Sequence, residues 1–539
     1  MKNILIAIRS IFKKGRHNVM KIVSLGIGLA VGLVLIAKVY FEQSYDDFYP
    51  DRDRVYQVWA KYQQNGGELK DYPQTSGGIA PTMQQQIPEI ETVTRYTSFG
   101  DWTFTMTDTK MKYSGRCIIA DSCFFDILPR PMLIGNAKEV LSTPMYVLIS
   151  SRIAKNIGGD VIGKNFTVDN SPGRTMTIGG VFEEVPENSH SRYDVIVSMA
   201  SAGRFMWEGS PTNMLGNDRY ISYVKLHKGV NPLALEEQVR TFVNSYFPPE
   251  EQQKVGLSID FSFHKLDNLH KELPQVKRMT WILSLLAFAL IFTAVMNYIL
   301  IVISSIVNRS KEVAVHKCYG ASENNIHGMM FGEALVHIVL SLILALLLIL
   351  AFRGTVEELL ATSLDSLLLS NGSLVLLGIC ILVFFVSGFM PGSLYARIPV
   401  ASAFRNYREN KRIWKKALLL VQFVATGFLV TMLVFVARQY TFMVNDRPGY
   451  AYENLAYCGL AGVDSTSRAK ILDEVMRLPG VAAATTVYQL PFEHASGNNI
   501  LLPGGTQELF NIADLYWVGN GYLDLSLIHI SEPTRLLSI

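Results

Sequence analysis

Hydrophobic residues follow two patterns along this chain. In five stretches they run almost without interruption: 20–41, 281–307, 327–352, 373–395 and 417–437. Each reaches the roughly 20 residues needed to cross the hydrocarbon of a bilayer, so each predicts a spanning helix. Between the first two, over 42–275, the pattern changes to short alternating runs such as Val55–Trp59 and Tyr220–Leu226, punctuated by Gly, Pro and Asn. Alternation of that kind predicts half-buried strands. Strand, helix and strand follow one another near 54–60, 79–87 and 92–98, and again near 220–227, 232–246 and 258–264. Two split units of this type predict an α+β domain, with a β-rich insert at about 100–215 between them.

Charge orients these elements. Residues 1–19 carry Ile4, Leu5, Ile8, Ile11 and Phe12 on one helical face and Lys2, Arg9, Lys13 and Lys14 on the other. This predicts an amphipathic helix lying on the anionic cytoplasmic leaflet. Acidic residues Glu42, Asp46, Asp47 and Asp51 follow the first span, so the positive-inside rule puts the N-terminus in the cytoplasm and 42–275 outside it. The acid-rich link between the third and fourth spans, 353–372, is then an outer loop, and the basic segment 396–416 is cytoplasmic. Within the first span, Gly26, Gly28 and Gly32 are spaced to let a neighbouring helix approach closely.

The 539 residues exceed one soluble core, while a net charge of +3 excludes little. No basic face with interleaved aromatics points to nucleic acid. Five cysteines, Cys117, Cys123, Cys318, Cys380 and Cys458, form neither a CxxC pair nor a metal spacing; Cys117 and Cys123 fall in the outer region, where a bridge is chemically open to them, but without a disulfide framework they read as free thiols. Nucleotide-binding, hydrolase and zinc motifs are missing from the sequence. His190 lies near Glu187, Ser191 and Asp194 in one loop, but without the order of a base and nucleophile it reads as a hydrogen-bonded turn joining strands. No catalytic residue, cofactor site or metal site is predicted. Polar residues in apolar helices are the better lead: Asn297 in the second span, and Glu333 and His337 four apart on the third. Such groups are costly in lipid unless partnered, and interhelical hydrogen bonding is the expected use.

The second and third spans are joined by a short basic elbow at 308–326, with Arg309, Lys311, His316 and Lys317 around an apolar stripe of Val313, Ala314 and Tyr319. Glu312 and Lys317 are candidates to pair, and Gly320 is a stop signal. The run Arg309–Ala321, RSKEVAVHKCYGA, resembles the cytoplasmic loop R-x-x-E-[IV]-[AG]-x-[RL]-K-x-x-G-A of FtsX-like/MacB-like ABC transporter permeases, departing from it at His316. GKNFTV at 163–168, TMTIGGVFEEVPENSH at 175–190 and YDVIVS at 193–198 resemble the MacB-like periplasmic core domain. YDDFYPDRDRVYQV at 45–58 is similar to the opening of that domain in Bacteroidetes-type duplicated permeases.

The resemblance implies a membrane α-helical permease subunit, not an enzyme, with a MacB-like periplasmic core at 42–275 in the bacterial inner membrane. It implies a cytoplasmic ABC ATPase partner that binds the ATP, so that the chain itself needs no cofactor. Arg309, Lys311, Glu312, Val313, Lys317, Gly320 and Ala321 become the expected ATPase-coupling residues. A membrane-fusion or outer-membrane component is a further implied partner, beside the lipid bilayer. Cargo in this class ranges over lipoproteins, peptides and antibiotics, moved by transmission of conformational change. The alternatives are a transmembrane sensor with a periplasmic ligand domain, which lacks a cytoplasmic output domain here, and a secondary transporter, which needs paired broken helices.

Two features concern the chain's extent. Arg9 and Gln43 recur as Arg405 and Gln439, in each case 396 positions on, and the basic stretch, span and outer region recur with them. Strand, helix and strand at about 454–460, 464–477 and 481–488 echo the first outer unit, so 438–525 reads as an incomplete second periplasmic domain. Residues 526–539 continue no element and read as a non-native tail on a C-terminally truncated chain.

Overall fold

The computed structural model describes residues 17–64, 67–168, 171–216, 218–369, 372–396, 398–400, 413–445, 454–460, 463–490, 496–502 and 508–526. Residues 1–16 of the expected surface helix at 1–19, most of the basic segment 396–416 and the tail beyond Ser526 lie outside the described residues. The chain divides into one unit of Met1–Phe166 with Thr175–Phe428, and a second of Thr167–Arg174 with Leu429–Ile539.

Among the described residues five helices are long and apolar enough to span a membrane: Asn18–Gln43, Pro274–Ser304, Glu323–Ala351, Ser373–Ala396 and Lys416–Asn445, the last within the helix Ile413–Asn445. The second starts seven residues before the apolar run, because Pro274 suits the first turn and its polar opening, Gln275 to Arg278, continues the helix beyond the hydrocarbon. The first four pack through Leu29, Val295, Tyr298, Ile338 and Val383 and leave Phe288, Leu347 and Phe385 facing outward. Gly26, Gly28 and Gly32 face the neighbours they were expected to admit. A Cβ on Gly28 would sit 2.3 Å from Ala294 Cβ, and one on Gly32 2.4 Å from Ile291 Cγ1.

Between the first two helices lies a domain on one mixed sheet. Its strands are β1 (Val55–Gln64), β2 (Lys70–Tyr72), β3 (Ile90–Met106), β4 (Lys112–Ala120), β5 (Met132–Ile134), β6 (Tyr146–Ser150), β7 (Asn165–Val168), β8 (Ser171–Phe182), β9 (Val195–Ser198), β10 (Ile221–Leu226) and β11 (Leu257–Lys265). The order β11-β1-β10-β3-β4-β9-β6-β8-β5 includes parallel pairings of β4 with β9 and β6 with β8. The expected split units form the β11-β1-β10-β3 end, where the helices Ile79–Gln86 and Glu236–Tyr246 bury Met83, Val239 and Phe242. The insert continues the same sheet, with its own core of Ile118, Phe124, Phe182, Tyr193 and Ile196. Cys117 is buried, Cys123 half-buried, and both are free thiols.

The link at 353–372 carries helices Arg353–Leu360 and Leu364–Leu368, the latter capped by Ser363; a side-chain oxygen accepting from an amide starts a helix readily. One expectation is corrected. In the second unit the helix Ser465–Met476 forms, but 454–460 and 481–486 have no ladder partner among the described residues. Only an isolated bridge, Val487 to Val518, forms there, while the hairpin is Ser496–Leu501 with Glu508–Leu515.

Candidate functional site

Polar groups in the bundle collect at its two ends. On the domain side, Lys38 Nζ lies 2.7 Å from Glu42 Oε1 one turn along the first helix and donates to Thr362 Oγ1 at 2.8 Å. Glu42 Oε2 is 2.6 Å from His270 Nε2, whose ring stacks on Tyr45 with centroids 3.4 Å apart. Lys38 and Glu42 are only 7% and 4% exposed, a burial that charges tolerate only when paired.

The Pro186–His190 turn carries this junction into the domain. Asn188 Nδ2 donates to Ser44 O at 2.7 Å, and its carbonyl accepts from Asp46 N at 2.9 Å. Ser189 Oγ donates to Asp46 Oδ1 at 3.1 Å, while His190 joins Asp46 Oδ2 at 2.7 Å through Nδ1 and the Tyr223 hydroxyl through Nε2. Asp46 stands at φ 60°, a left-handed position that this polar grip maintains. Glu187 reaches the other way and accepts from Ser363 N at 3.0 Å. Ser191 instead meets the Tyr96 hydroxyl, and Asp194 meets Arg116 N and Arg152. These partners diverge, so the loop is a structural joint. Burial raises the Tyr49 and Tyr45 hydroxyls in pKa beside it and pushes Tyr96 up to about 12.

At the other end, Lys21 Nζ lies 3.5 Å from Glu333 Oε1 and 3.2 Å from Asn18 Oδ1. Glu333, His337 and Ser341 share one face of the third helix at successive turns. Tyr298 Oη is 3.2 Å from His337 Nδ1, and Ser341 Oγ donates to Ile22 O at 3.1 Å. This ladder ties the third helix to the first and second. Asn297 is half-buried on the second helix and is not brought to it. Lys21 and Lys38 went unnoticed among sequence-predicted residues; their signal is the presence of charge inside an apolar run.

The elbow is a helix, Ile306–Cys318. Ser305 marks the break: its hydroxyl donates back to Val302 O at 2.6 Å, a bond that bends helices. Gly320 stops the helix at φ 87°, and Ala321 N donates to His316 O at 3.0 Å. Ser322 then caps the third spanning helix. Val313 and Ala314 are buried, but Tyr319 is 89% exposed and leaves the expected stripe, since its position lies past the last full turn. Lys311, Val315 and His316 also face outward, and Glu312 is half-buried. Arg309 lies in the same helix. Lys317 points inward, donating to Ala396 O at 2.7 Å and Ile398 O at 2.8 Å; five residues along a helix, it does not share Glu312's face. Among the described residues no group of three or more His, Cys, Asp or Glu gathers as for a metal.

Comparison with known proteins places these features. The model of the MacB-like periplasmic core domain matches residues 20–242, and that of the FtsX-like permease C-terminal matches residues 284–400. No curated protein matches. Among solved structures, a domain titled as that of a permease protein from Porphyromonas gingivalis is 33% identical, over 40% of this chain and 91% of its own, with a TM-score of 0.37. The periplasmic region of MacB from Actinobacillus actinomycetemcomitans is 15% identical over 41% and 92%, TM-score 0.28. The extracellular domain of the noncanonic ABC-type transporter YknZ from Gram-positive bacteria is 11% identical over 38% and 98%, TM-score 0.28. With the core-domain and permease models matched in succession, one over the domain and the other over the elbow and its flanking helices, this multi-pass chain belongs to the FtsX-like/MacB-like ABC transporter permeases.

Proposed function

We propose that the chain transmits displacement from a cytoplasmic ABC ATPase, which binds the ATP, to the periplasmic domain. In this reading the N-terminus and elbow are cytoplasmic, the membrane is the bacterial inner membrane, and a membrane-fusion component is a further partner. The ATPase docks on the exposed elbow face, Lys311, Val315, His316 and Tyr319, together with Arg309. Nucleotide-driven closure of the ATPase pushes the elbow, and the spanning helices carry the movement outward as a shear between packed states.

The observation that carries this reading is the domain-side junction. Glu42 with His270, Asn188 with Ser44 and Glu187 with Ser363 tie the domain to the ends of the first two helices and to the link between the third and fourth. A ligand domain on slack tethers would not receive a push; this one has little slack in its connections. Work is done on a periplasmic cargo of the lipoprotein, peptide or antibiotic class without that cargo crossing through the chain.

Charge reversal at Arg309 and Lys311 is expected to abolish stimulation of the ATPase by the permease while leaving membrane insertion intact. Unchanged stimulation in that variant rejects the elbow as the docking surface.

A further inference from the structure

We propose that the cytoplasmic end of the fourth spanning helix is a bracket fixing the elbow helix at both ends. In this proposal Lys317 and Tyr395 are positioning residues and not contacts to the ATPase. The inference rests on the reading of the elbow as the element that is pushed, and it assigns different work to its two faces.

One end of the bracket is Tyr395. Its side chain is fully buried, and its hydroxyl lies 3.1 Å from both Val302 O and Ser305 Oγ, at the break where the second spanning helix becomes the elbow. The other end is Lys317, whose ammonium takes Ala396 O and Ile398 O. Carbonyls at a helix C-terminus have no intrahelical donor and carry partial negative charge, so a lysine arriving from another element is the complementary group. Thirteen residues separate the ends of the elbow helix, roughly 20 Å at 1.5 Å per residue. Between the two grips, Val313 and Ala314 pack in one apolar cluster with Tyr395, Ala396 and Ile398.

A helix held only at Ser305 would swing about that break and lose the push in bending. Held at both ends, it passes load to the second and fourth spanning helices together. The motif lysine is therefore a strut on the inner face, while Lys311 and His316 on the outer face remain for the partner.

The test uses the full chain in lipid nanodiscs, with native cysteines replaced by serine and spin labels at Val315→Cys and Ser393→Cys. A narrow distance distribution is expected, broadening in Lys317→Ala with Tyr395→Phe and recovering when Lys317→Arg replaces Lys317→Ala. An unchanged distribution in the double variant overturns the bracket. With the ATPase subunit added, Lys311→Glu with His316→Glu weakens binding by about tenfold or more. Lys317→Ala leaves affinity within about twofold but lowers stimulated turnover, and Lys317→Arg restores it. Equal loss of affinity in both sets makes Lys317 a contact and overturns the proposal. If neither set alters affinity, the docking reading fails, and the label distances still decide the bracket.

Discussion

The two ends of the four-helix bundle each bury a lysine–glutamate pair, Lys38 with Glu42 and Lys21 with Glu333, but they use it differently. Seventeen residues apart on one helix, Lys21 and Lys38 are separated by roughly 25 Å, close to the hydrocarbon thickness. On the domain side the pair is extended, through His270, Tyr45 and Thr362, toward the domain between the first two helices and the link between the third and fourth. On the elbow side the pair turns inward along the third helix, while Lys311 and His316 of the elbow face out. One end is committed to a domain in the same chain; the other leaves Lys311 and His316 exposed. Residue type does not separate the two cases, whereas the partners do.

The sharpest way to break the comparison is to remove the shared acid. Glu42→Ala leaves Lys38 buried with Thr362, and deleting one member of a buried pair costs about 3–5 kcal/mol, read as a fall in unfolding temperature in detergent. A comparable loss in Glu333→Ala extends the result to the other end. If both cost nothing, neither pair holds the bundle.

Gly28→Leu acts between the two ends. Its side chain would enter the space of Ala294, and overpacking costs about 1–3 kcal/mol. Gly378→Ala, where an added Cβ meets nothing within 4 Å, is the control expected to keep full stability by the same measurement.

Smaller again is a pH effect confined to the domain side. Arg54 and Lys225 lower Asp51 to about 2 from its ordinary 3.8. A depressed carboxylate contributes stability that is fully present above 3.8 and is lost as pH falls through about 2. Asp51→Asn should flatten that acid limb in a pH series of unfolding curves, with the elbow end unaffected.

The smallest effect is Lys311→Ala: no change in unfolding beyond about 0.5 kcal/mol, as for a surface substitution, together with weakened ATPase stimulation. A large stability loss would move Lys311 from the outward group to the inward one.

The spans, the α+β domain and the order of its split units were legible in the sequence because period and run length report burial directly. The glycines were legible too, since only a missing Cβ explains three small residues on a helix that must be approached. Lys38 and Lys21 were not, because a charge within a span is interpretable only when the helix opposite it is known. Lys317 was legible only as a motif position, because its direction depends on where the fourth helix ends, about eighty residues later in the chain. The strands expected near 454–460 and 481–488 show the same limit, for alternation proposes a strand and only a neighbour completes it.

One pairing in the domain has a consequence for how such permeases can be altered. β1 and β11, the strands nearest the membrane in sequence, run antiparallel through nine paired positions, from Tyr56 with Lys265 to Gln64 with Leu257. Entry and exit are thereby zipped side by side, the arrangement that permits whole domains to be inserted or exchanged. The segment between Glu42 and Pro274 is in that sense a cassette.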